Sequence, residues 1–511
     1  MAESTALERT LQDETEGRRV EHFDVLIVGA GLSGIGAAYH LQKECPGKSY
    51  AILEGRNALG GTWDLFRYPG VRSDSDMYTL GYSFRPWSDA KAIADGPSIL
   101  KYLRETAAEY GIDGHIRYGH RAKVARWSSA NGRWTVEVSR GDGEIVQFTC
   151  KFLYMCSGYY DYAEGYMPGW PGMERFTGRI VHPQKWPQDL DYKDKRVIVI
   201  GSGATAVTLV PAMAESAKHV VMLQRSPSYI LELPSEDFVA NWLRGKVPAR
   251  LAYILVRWKN VLMAMYLYTK ARSKPEKTKR WLMGLAQKAL GPDYDVAKHF
   301  SPRYNPWEQR LCFVPDGDLF RALRSGKASM TTEEIETFTE KGLRLRSGEE
   351  LEADIIVTAT GLKVQLMGGM QVCVDGAPVD LSRAMAYKGM MYSDVPNLAS
   401  SFGYTNASWT LKSDLTAEYV CRLLRHMDAG GYDSCTPRKG EASISEEPAI
   451  DFSSGYIQRA LNVLPKQGSQ RPWRLHQNYA LDMLEFRFAP VEDGTMEFAR
   501  LRNRAPVTSN T

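Results

Sequence analysis

Two stretches of the chain show the same order of apolar and polar segments. In the first, an apolar, β-branched run at residues 23–28 ends at Gly29, a helical pattern covers residues 32–43, and a second apolar run ends at Glu54. An apolar run that stops at a glycine and gives way to a 3.6-residue period predicts a strand, a tight turn and a helix. We therefore predict strand, turn, helix and strand here.

The second stretch lies in the middle of the chain. An apolar run at residues 196–200 ends at Gly201, a helical pattern covers residues 206–214, and the next apolar run, residues 220–223, leads to Gln224 and Arg225. The same strand-turn-helix-strand unit is therefore predicted twice.

Each unit is followed by a further apolar strand that stops at small residues and glycine. These strands are residues 151–158, KFLYMCSG, and residues 353–361, ADIIVTATG. A duplicated unit with such a distal strand is typical of dinucleotide-binding domains. The predicted fold class is α/β, with two Rossmann-like dinucleotide-binding domains, one inserted in the other, and a helical insertion.

The first turn reads Gly29-Ala-Gly31-Leu-Ser-Gly34. The first glycine permits the tight turn, the second lets a pyrophosphate approach, and the third permits close packing of the helix, whose N terminus stabilises the diphosphate. Glu54 closes the second strand, where a carboxylate accepts hydrogen bonds from both ribose hydroxyls of an adenosine. An acid there favours an unphosphorylated ribose, and therefore FAD or NAD.

The second turn has alanine in the third glycine position, and its second strand ends without an acid. It reads Gly201-Ser202-Gly203-Ala204-Thr205-Ala206, and the strand leads to Arg225 and Ser226. An arginine holds a ribose 2′-phosphate through a charge-assisted, bidentate contact, which the serine hydroxyl supports, whereas an acid repels it. The second site is therefore predicted to bind NADPH.

These motifs and the composition between them predict the domain limits. Residues 235–298 are rich in helix formers and basic residues, unlike either unit, and the stretch after Gly361 is too long for a tail. The predicted domains are a polar lead-in at 1–22, a FAD-binding domain at 23–158 and 393–511, an NADPH-binding domain at 159–234 and 299–392, and a helical insertion at 235–298.

Charge and composition exclude several function classes. The 511 residues carry a net charge of +4, too balanced for a nucleic-acid-binding protein. No run reaches about 18 uninterrupted apolar residues, so a membrane-spanning helix is excluded, whereas the mixed aromatic, aliphatic and basic residues around 251–280 leave contact with a membrane surface open. The seven cysteines are scattered without a CxxC pair, which indicates a reduced, cytoplasmic protein without a metal site.

A third motif precedes the second unit and is specific enough to indicate a protein family. Phe176, Gly178, His182 and Trp186 form the pattern FxGxxxHxxxW, which is followed by Pro187. A fingerprint of this form between two Rossmann motifs resembles that of the type I Baeyer-Villiger monooxygenases. The segments GGTWDLFRYPGVRSDSDMYTLGYSFRPW, GSGATAVTLVPA and YNPWEQRLC are similar to the branch that contains the mycobacterial ethionamide-activating monooxygenase.

The resemblance implies a set of cofactor contacts from about residue 23 onward. FAD is expected on Ser33, Glu54, Thr62, Trp63, Asp64, Leu65 and Asp74, with the backbone near Ala122 meeting the adenine. NADPH is expected on Gly201, Ser202, Gly203, Ala204, Thr205, Ala206, Val207, Arg225 and Ser226, with its nicotinamide end approaching Arg72, Ser73 and Asp74. His182 and Trp186 resemble residues that couple domain movement to cofactor orientation. A lysine that many family members use for the 2′-phosphate is Gln309 here, so NADPH preference is expected to rest on Arg225.

The resemblance also implies the reaction. FAD, NADPH and O2 would convert ketones to esters or lactones through a C4a-peroxyflavin, with sulfides and thioamides as secondary substrates. The arginine matching Arg310 lies over the flavin, and a guanidinium is a suitable fixed cation because it stays protonated at every working pH. Asp74 would orient Arg310, so Arg310 and Asp74 are the expected catalytic residues.

Three other functions are compatible with parts of this pattern. A flavin monooxygenase confined to nitrogen or sulfur nucleophiles needs no such arginine, and a disulfide reductase needs a redox-active cysteine pair that the sequence lacks. A flavin-binding redox partner without turnover would keep the fold alone. The sequence does not indicate the physiological substrate, the regiochemistry or the oligomeric state, and the substrate pocket is expected between the insertion and residues 403–409.

Overall fold

The computed structural model describes residues 20–440, 444–450 and 452–501. The predicted polar lead-in lies outside the described residues up to residue 19, and the first strand begins at Glu21, inside the predicted lead-in. The described residues form two main sheets, a helical insertion and several two- and three-stranded sheets.

The first sheet has nine strands and carries the first glycine turn. Glu21–Val28 lies between Tyr50–Glu54 and Ile145–Met155 and is parallel to both. Leu26 and Ile27 have no exposed surface, since both faces of a central parallel strand are covered. The other strands are Ile116–Tyr118, His120–Ser128, Arg133–Arg140, Gln371–Val374, Ala377–Pro378 and Leu398–Ser400.

The second sheet has five parallel strands and carries the second glycine turn. Ile198 and Val199 of its central strand have no exposed surface, which explains the uninterrupted apolar run there in the sequence. The strands, in spatial order, are Ala328–Thr332, His219–Gln224, Arg196–Ile200, Ile355–Thr358 and Arg179–Val181.

Two antiparallel segments join the two sheets. The chain leaves the first sheet at Met155, passes through Tyr160–Gly165 to the second sheet, and returns through Leu362–Val364. These two segments pair with each other, and we call them the crossover ribbon. The chain of the second sheet is therefore inserted in the chain of the first sheet.

The domain limits stay predictions, but two neighbouring strands, Gln371–Val374 and Ala377–Pro378, depart from them. Gln371–Val374 pairs with His120–Ser128 in the first sheet, although residues up to 392 were assigned to the NADPH-binding domain. The sequence gives no sign of this return because a four-residue strand carries too little periodicity to assign.

The insertion consists of four helices: Phe238–Leu243, Ala249–Ser273, Pro275–Leu290 and Val296–His299. The long helix stops before Pro275, which begins the next helix at a position where a missing N–H costs nothing. Gly291, with φ of 98°, ends that helix. The predicted α/β class with a helical insertion is confirmed. Among the described residues, each helix is too short or too polar to cross a bilayer.

The remaining helices and strands lie outside the two main sheets, the crossover ribbon and the insertion. The other helices are Leu32–Glu44, Thr62–Leu65, Met77–Leu80, Gly96–Glu109, Ala204–Ala214, Asp318–Arg324, Trp409–Gly430, Gly455–Gln458 and Tyr479–Phe488, with 3-10 turns at Asp113–His115, Met173–Arg175, Pro183–Lys185 and Leu366–Gly369. The other strands are Ile230–Leu233, Cys312–Pro315, Ile335–Thr339, Gly342–Leu345, Glu350–Glu352, Ala386–Tyr387, Met391–Tyr392, Ser434–Pro437, Glu446–Pro448, Lys466–Gly468 and Met496–Ala499.

Candidate active site

The first glycine turn packs tightly on two sides and is open on the third. A Cβ on Gly29 would lie 2.5 Å from the carbonyl oxygen of Cys156, and one on Gly34 would lie 1.9 Å from that of Gly29. A Cβ on Gly31 would meet nothing nearer than Gly61, at 3.6 Å. The backbone at the N terminus of Leu32–Glu44 is therefore open to a diphosphate, as the FAD prediction requires.

Glu54 is buried behind this turn with both carboxylate oxygens engaged. Its Oε2 accepts a hydrogen bond from the amide of Ala30 (2.8 Å) and its Oε1 accepts one from the amide of Arg56 (2.9 Å). Burial raises the pKa of Glu54 despite these bonds. Each oxygen keeps a lone pair for a ribose hydroxyl, which fits an adenosine at this position.

The other predicted FAD contacts surround the same turn. Gly61 lies against Gly31, so the short helix that follows it borders the diphosphate position. That helix contains Thr62, Trp63, Asp64 and Leu65. Ser33 is buried and accepts a hydrogen bond from the indole N–H of Trp409 (2.8 Å), and Ala122 is buried at a bulge in His120–Ser128.

Asp64 is already paired within the protein. Its carboxylate lies 2.7 Å from Arg56, 2.6 Å from Arg67 and 3.5 Å from Arg104. Three arginines around one buried carboxylate hold the short helix in place, so the structure gives Asp64 a positioning role. The sequence shows only the adjacent arginines and not Arg104, which comes from another helix.

The second glycine turn repeats the geometry of the first. A Cβ on Gly201 would lie 2.3 Å from the carbonyl oxygen of Ala359, whereas one on Gly203 would meet no atom within 4 Å. Gly203 and Ala204 are exposed at the N terminus of Ala204–Ala214, while the next residues pack inward. Thr205 is half-buried, and Ala206 and Val207 are fully buried.

Arg225 and Ser226 are exposed beside this turn. The hydroxyl of Ser202 donates a hydrogen bond to the carbonyl oxygen of Ser226 (3.0 Å), which fixes the strand end next to the glycines. Gln309, which stands where the resemblance led us to expect lysine, donates to the carbonyl oxygen of Ser453 (3.4 Å) and brings no positive charge. Arg225 is therefore the cation that the turn itself offers to a 2′-phosphate.

A loop of the first domain, residues 68–74, is docked on the second domain. The hydroxyl of Tyr68 interacts with Thr205, and burial raises the pKa of Tyr68 to about 12. A Cβ on Gly70 would lie 2.8 Å from that of Ala212, so the loop directly contacts the helix Ala204–Ala214. Arg72 forms an ion pair with Asp318.

Ser73 and Asp74 end this loop in different environments. Ser73 is buried, and its hydroxyl accepts a hydrogen bond from the amide of Ser75 (2.9 Å). Asp74 binds Arg310 with both oxygens: Nε donates to Oδ2 at 2.6 Å and Nη2 to Oδ1 at 2.8 Å. The charge of Asp74 raises the pKa of Arg310, so the guanidinium is a permanent cation.

Arg310 and Asp74 lie at the wall of a cavity of about 460 Å³. The cavity takes its lining from the long insertion helix, from residues 231–239 and from residues 405–408, and most of these side chains are apolar. Its polar residues include Asp76, Lys259, Asn260 and Asn406. A fixed cation at the wall of an apolar cavity stabilises negative charge on a bound molecule far better than it would in water.

The fingerprint residues do not line the cavity: His182 contacts the crossover ribbon, and the other three pack on the second domain. Phe176 is buried beside Phe338, and a Cβ on Gly178 would lie 2.4 Å from the carbonyl oxygen of Asp354. His182 packs against Gly165 and its Nε2 lies 3.3 Å from the carbonyl oxygen of Gly361, both at the end of the ribbon where Gly165 pairs with Leu362. Burial lowers the pKa of His182, so the ring is neutral at pH 7.

Trp186 completes this group and packs on the core of the second sheet, edge-on to Tyr192. The fingerprint thus ties the second sheet to the two segments that cross to the first. This arrangement favours the predicted role of His182 and Trp186 in domain coupling.

Sequence reasoning missed two sets of residues around the candidate site. Tyr159 and Tyr160 come shortly after the strand that ends at Met155, and their hydroxyls share a hydrogen bond of 2.5 Å. Both interact electrostatically with Arg310, as does Tyr456. The place of Tyr159 and Tyr160 shortly after a Rossmann strand was the available signal. The sequence did not indicate Asp318, because its ion-pair partner, Arg72, lies 246 positions away in the chain.

Comparison with known proteins identifies the family. The model of the flavin-binding monooxygenase-like family matches residues 83–366, more than half of the chain. The FAD-containing monooxygenase EthA of Mycobacterium tuberculosis is 56% identical over 481 residues, which cover 94% of this chain and 98% of that protein. The chain belongs to the flavin-binding monooxygenase-like family. EthA of Mycolicibacterium smegmatis is 53% identical over 492 residues, with 96% and 99% coverage.

The NAD(P)-binding Rossmann-like domain matches residues 27–94, around the first turn. The structure of an oxidised steroid monooxygenase bound to NADP has a TM-score of 0.74 at 22% identity, over 94% of this chain and all of that chain. An open structure of cyclohexanone monooxygenase has a TM-score of 0.72 at 19% identity, with the same coverage. These likenesses show a shared fold. Membership of the flavin-binding monooxygenase-like family confirms the predicted flavin-dependent monooxygenase class, whereas the individual site residues stay predictions.

Proposed function

We propose that this chain is a Baeyer-Villiger monooxygenase that uses FAD, NADPH and O2 to convert ketones to esters or lactones, and that it oxidises sulfides and thioamides as a side activity. The observation that carries the proposal is the Asp74–Arg310 pair, held by two hydrogen bonds at the wall of a largely apolar cavity.

The chain offers two different nucleotide sites. At the first, the open backbone of Gly31 and the buried acid Glu54 fit the diphosphate and unphosphorylated ribose of FAD. At the second, the open backbone of Gly203 lies beside Arg225 and Ser226, which fit the 2′-phosphate of NADPH. Bound FAD supplies the hydride acceptor and the activation of O2.

The residues around the cavity perform the remaining tasks. Arg310 offsets negative charge on the oxygen atoms of the reacting molecule, and Asp74 fixes the guanidinium in one orientation. The apolar lining excludes water, which strengthens that electrostatic effect. Loss of the Asp74 carboxylate would leave the cation free to rotate.

A cytoplasmic location and contact of the insertion with a membrane surface stay predictions, since the fold of one chain tests neither. Ketone and sulfide substrates also stay predictions. A monooxygenase confined to nitrogen and sulfur nucleophiles is the alternative, and it would not depend on Arg310.

Oxygen uptake by the FAD-loaded protein with NADPH and a panel of linear and aryl methyl ketones, with mass detection of products, tests the proposal. Arg310→Ala is measured in parallel. Esters from the wild type, lost in the variant while flavin reduction persists, would support it. Sulfoxides or N-oxides without any ester would contradict it and favour the alternative.

A further inference from the structure

Exposed apolar side chains are concentrated on the insertion. Among the described residues, nineteen large hydrophobic side chains are exposed, and ten of them fall within residues 238–290. A concentration of exposed apolar side chains on one part of a folded chain marks a surface that contacts another apolar phase. The ten are Phe238, Val239, Trp242, Leu251, Ile254, Leu255, Leu262, Met263, Tyr266 and Trp281.

The long insertion helix carries apolar residues on its exposed side as well as on its buried side. Leu251, Leu255, Leu262 and Tyr266 are spaced by four, seven and four positions, so they form one stripe along the helix. Tyr253, Val256, Arg257 and Val261 are buried on the opposite side. The stripe is therefore not needed for packing of the helix on its own domain.

A second helix extends this surface. Tyr479–Phe488 packs beside the long helix, since the rings of Tyr479 and Trp258 lie 5.7 Å apart. It exposes Leu481, Leu484 and Phe488, the last by 73%. We call these residues and the ten of the insertion the apolar patch.

The part of the insertion that carries these exposed side chains, residues 238–290, is also rich in basic residues. Residues 238–290 contain twelve Lys and Arg but one acid, Glu276, so the segment carries +11 in a chain of net charge +4. The rest of the chain is therefore negative. Lys246 lies 4.2 Å above the ring of Trp242, and Lys270 lies 5.5 Å above that of Tyr266, so cations accompany the exposed rings.

The cavity opens onto the apolar patch. Phe238, Val239 and Met263 line the cavity and are also exposed, Phe238 by 81%. The acids at this opening are few: Asp237 is paired with Lys259 at 2.5 Å, and Glu236 accepts a hydrogen bond from Asn241 at 2.8 Å. A molecule dissolved in a phase that covers the patch reaches Arg310 without crossing water.

We propose that the apolar patch docks on the surface of an anionic lipid bilayer and that the substrate is an apolar ketone that enters the cavity from the lipid. Aromatic and aliphatic side chains with flanking lysines and arginines are the composition that binds at such an interface. A second copy of the chain fits less well, because a symmetric contact would bring together two segments that are both rich in Lys and Arg. The lipid contact stands by itself, whereas the substrate route rests on the proposed function.

Flotation of the full-length, FAD-loaded protein with vesicles tests the contact. We expect binding to phosphatidylcholine mixed with phosphatidylglycerol, little binding to phosphatidylcholine alone, and loss of binding at high salt. Equal binding to both vesicles, or binding to neither, would overturn the proposal.

Two sets of variants locate the contact. The triple variant Trp242→Ser, Leu255→Ser, Leu262→Ser changes exposed residues that do not line the cavity, and it should lower the vesicle partition constant by about tenfold or more. Lys274→Gln with Lys277→Gln should lower it by about tenfold. The matched controls, Ile145→Ser and Lys193→Gln with Lys195→Gln, change exposed residues outside the insertion and should leave it unchanged.

Light scattering of the same proteins separates the other occupant. A wild-type dimer that the triple serine variant dissociates would show that a second copy covers the apolar patch, and the bilayer proposal would be wrong. A mass that is the same in wild type and variant, together with weaker flotation of the variant, would support it.

Turnover tests the substrate route separately from the chemistry. Methyl undecyl ketone held in anionic vesicles should be oxidised more slowly by the triple serine variant, by about tenfold, whereas ethyl methyl ketone in water should be oxidised equally by both proteins. Equal slowing with both ketones would overturn the route. If the wild type oxidises neither ketone, the proposed function fails, while the flotation result still decides the lipid contact.

Discussion

Asp74 binds Arg310 through both carboxylate oxygens, although the two residues lie 236 positions apart in the chain. Asp74 ends a loop that is docked on the helix Ala204–Ala214, and Arg310 lies two residues before the strand Cys312–Pro315. The pair thus depends on the relative position of the two domains as well as on its own geometry.

Removing either member of this pair should affect oxygenation more than reduction. Arg310→Ala should lower product formation by about 10²- to 10³-fold, because the charge that develops in the cavity loses its fixed counterion. Asp74→Asn should cost less, since it keeps one acceptor oxygen. Stopped-flow absorbance measures reduction by NADPH and reoxidation by O2 separately, and equal losses in both steps would contradict this role for Arg310.

Arg225 should determine the choice between the two nicotinamide cofactors. Arg225→Ala should raise the KM for NADPH by about 10- to 100-fold and leave the KM for NADH nearly unchanged, because only NADPH carries the 2′-phosphate. Steady-state kinetics with both cofactors measure the difference. Arg346→Ala, a change of an exposed arginine on the second domain, is the control, and a similar rise with NADH would contradict specific recognition of the phosphate.

Gly31 should separate folding from flavin binding. Gly31→Val should leave the fold intact, since a Cβ there meets nothing within 3.6 Å, but the side chain would occupy the space that a diphosphate needs. We expect purified protein with the wild-type circular dichroism and little FAD, measured by flavin absorbance. Gly47→Ala, at a site where a Cβ meets no atom within 4 Å, should retain FAD. A fully loaded Gly31→Val would place the diphosphate elsewhere.

A buried ionic group should make stability depend on pH. His40 lies 3.6 Å from Asp414 and 3.5 Å from Glu44, and Arg257 of the insertion lies 3.8 Å from Asp414. Burial alone would lower the pKa of His40, but the two carboxylates outweigh it and raise the pKa to about 9. The stabilising effect of protonated His40 is therefore complete below the unfolded-state pKa of about 6.5 and is lost as the pH rises through 9.

Urea unfolding at several pH values tests this linkage. The free energy of unfolding of the wild type should fall by on the order of 2 kcal/mol between pH 6.5 and pH 9.5. His40→Gln should be less stable at pH 6.5 and should lose most of this slope. His22→Gln, which changes an exposed histidine, should keep the wild-type slope, and an unchanged slope in His40→Gln would assign the effect to other groups.

The sequence predicted the parts of the fold that depend on local pattern. The helix predicted from residue 32 to residue 43 is Leu32–Glu44, and the strand predicted at 196–200 is Arg196–Ile200. The glycines identified both turns because each turn requires a positive φ, 107° at Gly29 and 141° at Gly201. These signals lie within a few residues of the features that they predict.

The features that the sequence did not predict all depend on distant residues. Arg104 reaches Asp64 from another helix, Asp318 reaches Arg72, and Gln371–Val374 joins a strand some 250 positions earlier. No local period encodes these pairings, since they follow from packing of the complete domains. For the same reason the resemblance suggested Asp64 as a flavin contact, but could not show that three arginines already hold its carboxylate.

The crossover ribbon has a consequence for how the chain is made. The last strand of the second sheet to leave the ribosome is Ile355–Thr358, whereas the first sheet must wait for Leu398–Ser400, which pairs with Ile145–Met155. We therefore expect the enclosed domain to fold during translation while the enclosing one still presents an unpaired strand edge. A nascent chain in this interval is a target for chaperones, and synthesis that slows between these two strands would prolong it.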